Sequence, residues 1–370
     1  MSTTKAKKRS GGFSLSALST TRGQLFGIAT LMVVYFHSYI SLHALLPNTP
    51  VLADILSLIH SHCNKGVDMF LFMSGIGLYY SMSKEPRLRD FYKKRATRIL
   101  PAVFIVSSIW FALKGSTGLE GYLSNLFFVS FLTEGVRYFW YFALIIFLYA
   151  IYPLIYKLYK STGTFGMVTS LIMVITINIL IMELAPAFYG HVEIALTRIP
   201  VFLIGAWIGK YVKEGVRISN LWLIVAGVVT LAIYVFYYFN PFAELLYIYR
   251  YMGGIFAIAL TFLFSALFSR FSLGFVGTFL IWIGGYSMEI YLIQEKAASI
   301  LYNSFHTNDP TSIAFYFAIF IISLICAIAL KALTDNLDRN LFYRNANKGK
   351  KPEAPKAETT VHKEKELVHK

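Results

Sequence analysis

The chain has 370 residues, of which 14% are charged, 56% hydrophobic and 17% aromatic. A soluble domain carries about 25% charged residues, so this balance excludes a large soluble enzyme and points to a polytopic membrane protein. The net charge is nevertheless +15, so the basic residues concentrate in loops and tails, where they orient the chain and meet membrane lipids or anionic ligands, with no nucleic acid expected.

The N-terminal segment 1–22, beginning MSTTKAKKRSGGFSLS, is basic. It lacks a short apolar core followed by a small-residue cleavage site, so the first membrane helix is expected to stay in the protein. Apolar stretches of about 20 residues read as spans. They fall near 24–43, 66–83, 99–114, 138–157, 165–184, 195–212, 219–239, 251–269, 277–301 and 312–333. The stretch 121–134, GYLSNLFFVSFLTE, is short for a span. With about ten spans and a cytoplasmic N-terminus, 28 of the 34 Lys and Arg fall on the cytoplasmic side. This is the positive-inside bias. A crossing by 121–134 would weaken it, so that piece is predicted to be interfacial or re-entrant. The expectation is an all-α transmembrane bundle over 23–340 with both termini cytoplasmic. A Lys-rich tail at 345–370 is expected to be disordered. Two cysteines, Cys63 and Cys326, are too few for a disulfide framework or a zinc site.

His37 interrupts the first apolar run, in VVYFHSYIS. A helix entering near Gln24 would carry it roughly 20 Å from the inner surface. Gly23, Gly27, Thr30, Val34, His37, Ser41 and Ala44 follow a heptad spacing. Such a stripe of small and polar residues faces protein. His37 is then either a structural hydrogen-bond donor or a base, since neutral imidazole takes a proton from a hydroxyl near neutral pH. Asp68, in NKGVDMFLFMSGIGLYYS, falls at a similar depth if the second helix runs antiparallel to the first. It either orients His37 or sits at a helix N-terminus beside Lys65. Gly75 and Gly77 allow close backbone approach.

The segment RLRDFYKKRATRILP places Arg95 and Arg98 on one helix face at the inner mouth. A guanidinium pair there suits a polyanion, or anchors to lipid headgroups. Trp140 lines a cavity or joins an interfacial aromatic belt. Arg198, Glu289, Tyr291, Gln294, Glu295 and Lys296 are polar groups in later spans, and charges of both signs inside a membrane suggest internal pairing. His43, His60, His62, His191 and His306 look extracellular and surface-like. His60 and His62 have no ordered third ligand, so no metal is expected. There is no phosphate-binding loop, no GxSxG elbow and no HExxH.

In order along the chain, GIATLMVVYFH, GVDMFLFMSGIGL, FYKKRATRILP, RIPVFLIG and IGGYSMEIYLIQ resemble segments of the membrane acyltransferase-3 family. These are bacterial integral-membrane O-acyltransferases acting on surface polysaccharides, peptidoglycan and other carbohydrates. The resemblance implies that His37 is the catalytic base, with Asp68 as a possible partner. It implies that Arg95 and Arg98 hold the acyl donor, acetyl-CoA, arriving from the cytoplasm. Trp140, Arg198, Glu289, Tyr291 and Gln294 are then candidate cavity residues. The acceptor would be a carbohydrate or lipid-linked glycan of the cell envelope, met at the outer side of a bacterial cytoplasmic membrane. Two departures stand out. Phe26 occupies the position, eleven residues before the histidine, where many members carry arginine, and Gln294 stands where the tenth helix often has histidine. The alternative function is export of a glycan or polymer without acyl transfer. An exporter would be expected to show paired half-helices in an internal repeat, and none is visible.

Overall fold

A computed structural model describes residues 12–38, 41–114, 118–239, 246–305 and 313–347. Residues 1–11 of the basic N-terminal segment and nearly all of the tail predicted from 345 lie outside them.

The chain enters through a short strand, β1 (Phe13–Ser14), and one turn of helix, α1 (Ala17–Thr20). The first long helix, α2 (Arg22–Phe36), stops seven residues before the predicted end at 43. His37 caps it with non-helical backbone, φ −87° and ψ 11°. Two helices follow where a loop was expected, α3 (Leu42–Leu45) and α4 (Pro50–His62). Pro50 opens α4 because its fixed φ and missing N–H suit a first helical position. A 3-10 turn, Cys63–Lys65, leads into α5 (Gly66–Met82). Next come α6 (Leu88–Lys114) and two short helices, α7 (Gly118–Leu126) and α8 (Val129–Glu134). Left-handed backbone at Phe128 separates this pair. At 9 and 6 residues, both are too short to cross a membrane.

The remainder is α9 (Trp140–Thr162), α10 (Thr164–Leu184), α11 (Pro186–Leu196), α12 (Ile199–Glu214), β2 (Arg217–Ile218), α13 (Leu221–Phe239), α14 (Leu246–Arg270), α15 (Gly274–Gly284), α16 (Ser287–Phe305) and α17 (Ile313–Asn347). Seven spans among the described residues are long and apolar enough to cross a membrane. They are α6, α9, α10, the α11–α12 run, α13, α14 and α17. The predicted span 277–301 is not straight: α15 and α16 meet at 76°, and together they make an eighth candidate. The first two predicted spans are α2 and α5, of 15 and 17 residues.

At the centre, α5 packs on α12, with α2, α9 and α14 around it. The α5–α12 contact is backbone to backbone. A methyl group at Gly205 would lie 2.2 Å from the Phe72 carbonyl oxygen, and one at Gly75 would lie 2.5 Å from that of Phe202. Only glycine permits this approach, and close contact of this kind is how helices associate where lipid offers no hydrophobic drive. The same device joins α2 to α15, where a methyl at Gly27 would meet the Leu280 carbonyl oxygen at 2.1 Å. Around this core, α10 and α13 expose apolar side chains such as Ile172, Ile224 and Leu231. So broad an apolar rim suits lipid, not water.

The loops segregate by end. At one end β1 pairs antiparallel with β2, Phe13 opposite Ile218. There too Lys160 meets Glu85 at 3.0 Å, Lys213 donates to Ser83 and Arg270 donates to Asn220. At the other end His43 pairs with Asp54, and His191 Nδ1 lies 3.0 Å from the Leu132 carbonyl. These two groups are the segments predicted to be cytoplasmic and extracytoplasmic.

Candidate active site

A cavity of about 600 Å³ opens into the bundle at the end that carries the 83–98 segment. Its polar wall is basic. Arg22 comes from α2, and Lys94, Arg95 and Arg98 come from the first turns of α6. The α15–α16 bend supplies Gly284, Gly285, Ser287, Met288 and Tyr291, while α9 supplies Tyr141 and Tyr149. A straight helix would carry 284–291 past this space. The Gly284-Gly285 pair lets α15 lie against α2 and then turn away.

The three guanidinium groups differ in freedom. Arg95 stacks 3.7 Å above the Phe91 ring and donates through Nη1 to the Phe91 carbonyl, while its buried Nε has no partner. Arg22 lies 4.9 Å over the Phe26 ring, and its Nη1 would stand 2.8 Å from a methyl at Gly77. Arg98 is already engaged, 3.1 Å from Glu289 and 3.6 Å from Asp335. Glu289 is fully buried, so this pair braces α6 against α16.

Above the cavity, Tyr291 packs 5.0 Å from Tyr141. Beyond it is a narrow gap lined by Thr30, Val33, Phe70, Ser287, Tyr291 and Gln294, with no room for a water molecule. Gln294 closes the far wall, and His37 stands behind it. The His37 Nδ1 atom lies 3.0 Å from the Val33 carbonyl oxygen and 2.7 Å from Gln294 Nε2. A carbonyl only accepts, so the ring donates its Nδ1–H to Val33 and keeps a lone pair at Nε2. Nδ1 carries its proton in both ionisation states of the ring, so the Gln294 amide must turn its oxygen to it and accept beside Val33.

Asp68 is not the histidine's hydrogen-bond partner. Its carboxylate is 3.1 Å from Arg198 Nε, and both groups are buried. The two belong to α5 and the start of α12, the most closely packed helices of the fold. Trp140 is buried, with Arg198 5.0 Å from its ring. Lys296 does not reach Glu289, seven residues back. It donates to the Tyr138 carbonyl at 2.6 Å and pairs with Glu295 at 3.1 Å. His60, expected at the surface, is half-buried beside the site. Its Nε2 is 3.3 Å from Ser38 Oγ, and its ring meets Tyr35 edge-on at 4.7 Å. His62 turns away from it, toward Tyr237.

The site thus joins a basic cavity at one end of the bundle to a histidine anchored behind its inner wall. The sequence profile of the membrane acyltransferase-3 family, an acyltransferase domain, matches residues 27–332. The chain belongs to that family. It is therefore an acyltransferase with a multi-pass membrane domain. No curated protein and no solved structure matches the chain significantly. Arg22 precedes the region matched to the acyltransferase-3 profile, and sequence reasoning passed over it. The signal was there: Arg22 and Phe26 are four apart, so they share a helix face. An arginine one turn below Phe26 thus puts its charge beside the Phe26 ring, at the position where many members of the family carry arginine.

Proposed function

We propose that this protein moves an acetyl group from cytoplasmic acetyl-CoA to a hydroxyl of an extracytoplasmic or lipid-linked carbohydrate, in the cytoplasmic membrane of a bacterium. The observation that carries this reading is that the basic cavity and the gap before His37 share the walls Phe70, Ser287 and Tyr291. The basic cavity ends at Tyr291, and the gap above Tyr291 ends at Gln294, which holds His37. A cavity of this volume lies within the usual range for cofactor-sized ligands.

In this reading Arg95 and Arg22 take phosphate oxygens of the donor, with Lys94 and the partly committed Arg98 beside them. The pantetheine arm runs toward Tyr291. Side-chain movement at Tyr291 and Phe70 opens the gap to the thioester. The acceptor hydroxyl approaches from the His37 side and gives its proton to Nε2. The oxygen attacks the thioester carbonyl, and the tetrahedral intermediate collapses with loss of the CoA thiolate. The imidazolium returns the proton to that sulfur, so the products are the acetyl ester and free CoA. Asp68 and Arg198, a buried pair, hold the helices that frame this path.

The test is release of free CoA from acetyl-CoA by purified protein in nanodiscs with envelope glycan as acceptor. His37→Ala should lower turnover by about 10²- to 10⁴-fold while donor binding persists. Normal turnover by a properly inserted His37→Ala protein would remove His37 from the chemistry. Glycan movement in the absence of any acyl-CoA would instead support an exporter.

A further inference from the structure

At the end of the bundle that carries His43 and His191, four basic groups meet two carboxylates. Asp68 is taken by Arg198. Glu193 is shared by Arg250 and Arg137, accepting from Arg250 Nη2 at 2.7 Å and from Arg137 Nη2 at 3.2 Å. The fourth cation is Lys65, which stands in the field of Asp68, Arg198 and Arg250. Only 7% of Lys65 is exposed. Among the described residues its ammonium has no hydrogen-bond acceptor, and its aromatic neighbour is the Tyr237 ring at 5.8 Å. Its stem lies across Gly253 of α14, where a methyl group would come within 2.4 Å of Nζ. An ammonium so little exposed to water and without a protein acceptor is poorly compensated. An anion arriving there would remove that cost.

The cluster lies at the level of the histidine. Gly66, next to Lys65, packs on α2 so closely that a methyl there would lie 2.5 Å from the Ala29 carbonyl oxygen and 2.9 Å from the Val33 side chain. Val33 is the residue whose carbonyl anchors His37.

We propose that Lys65, with Arg198 and Arg250 behind it, binds an anionic group of the acceptor. The ligand is then a glycan carrying a carboxylate or a phosphate, not a neutral one. This rests on the acyl-transfer reading only in assigning the anion to the acceptor.

The test is calorimetric titration of the full chain in nanodiscs at low salt with three probes: glucuronate, glucose 1-phosphate and glucose. At least one anion should bind more tightly than glucose, and Lys65→Met should weaken that binding about tenfold or more. Binding of glucuronate alone identifies a carboxylate, and of the sugar phosphate alone a phosphate. Gly253→Ala, which pushes the ammonium aside, should weaken binding too, and it decides the matter if Lys65→Met is not monodisperse with a normal melting profile. The proposal is overturned if neither anion binds better than glucose, or if the folded variants bind as the wild type does. Binding is read without turnover. A protein that binds the anion but never releases CoA would defeat the acyl-transfer reading and leave this site standing. CoA release with unchanged binding in the variants would do the reverse.

Discussion

Gln294 and His37 are 257 positions apart and share one hydrogen bond. If the amide holds the ring where Nε2 can work, Gln294→Ala should lower kcat by about tenfold, the value of one hydrogen bond, with little change in donor KM. Equal kcat in wild type and variant would show that Val33 alone positions the ring. Arg22→Ala should weaken acetyl-CoA binding by about tenfold at low salt and by less at high salt. Unchanged affinity would take Arg22 out of the donor site. Lys65 gives a pH signature. Burial is the main cause that holds its ammonium down to about 8, while Asp68 pulls the value up and Arg198 and Arg250 push it lower. The ammonium is charged below that pH and neutral above it. Anion affinity should therefore fall as pH rises from about 7 to about 9. Tyr237 and His62 also face the cluster; burial lowers the His62 value, so His62 stays neutral over this range and does not reverse the sign. A flat profile would sink the assignment to Lys65. The residue types were legible in the sequence; their partners were not. Asp68 read as a partner of His37 or Lys65, and Arg198 as one of several charges to be paired internally; that the two pair with each other was not legible, because pairing across 130 positions has no local signature.

The elements were legible where length and apolarity decide them, as for α9, α10, α13 and α14. They were not legible where the chain breaks inside an apolar run. The residues around His37 and around Gly284-Gly285 are as hydrophobic as the helices they interrupt, so hydropathy ran through both. Gly-Gly was the one cue, and it marks the bend that shapes the cavity. The amphipathic helix α4 was missed because it falls in a segment too short and too polar to read as a span. Packing between elements gives a separate test. A methyl at Gly205 has nowhere to go between α5 and α12. Gly205→Ala should cost about 1–3 kcal/mol by overpacking, seen as a lower melting temperature in detergent. An unaltered melting curve would mean that the two helices can separate freely. Glu289→Gln should loosen the α6–α16 brace, seen as a lower melting temperature, and free Arg98 for the donor, lowering donor KM; an unchanged KM would take Arg98 out of the donor site.

Over the whole molecule, the charge bias sorted the loops into the same two groups that the contacts join. Residues 83–85, 160, 213–220 and 270 gather at one end, and residues 43–54, 132 and 191 gather at the other. The grouping of the basic loops at one end is therefore legible from Lys and Arg counts, while two of the expected spans are shorter than a bilayer normally requires. A membrane-impermeant maleimide applied to sealed right-side-out vesicles should label His43→Cys and spare Lys160→Cys, with the reverse in inverted vesicles. Labelling of both from one side would rule out this arrangement. The closing contacts also order the protein's birth. β1 cannot pair until residue 218 has left the ribosome, and α2 waits for α15 before its glycine face is covered. At elongation rates of about 5–20 residues per second, roughly 13–50 seconds separate synthesis of His37 from that of Gln294. Through that interval the first helix sits in the translocation machinery or in lipid with its polar stripe unmatched. Any nascent chain released before α16 would be inserted and inert, so the enzyme comes alive only as its last helices arrive.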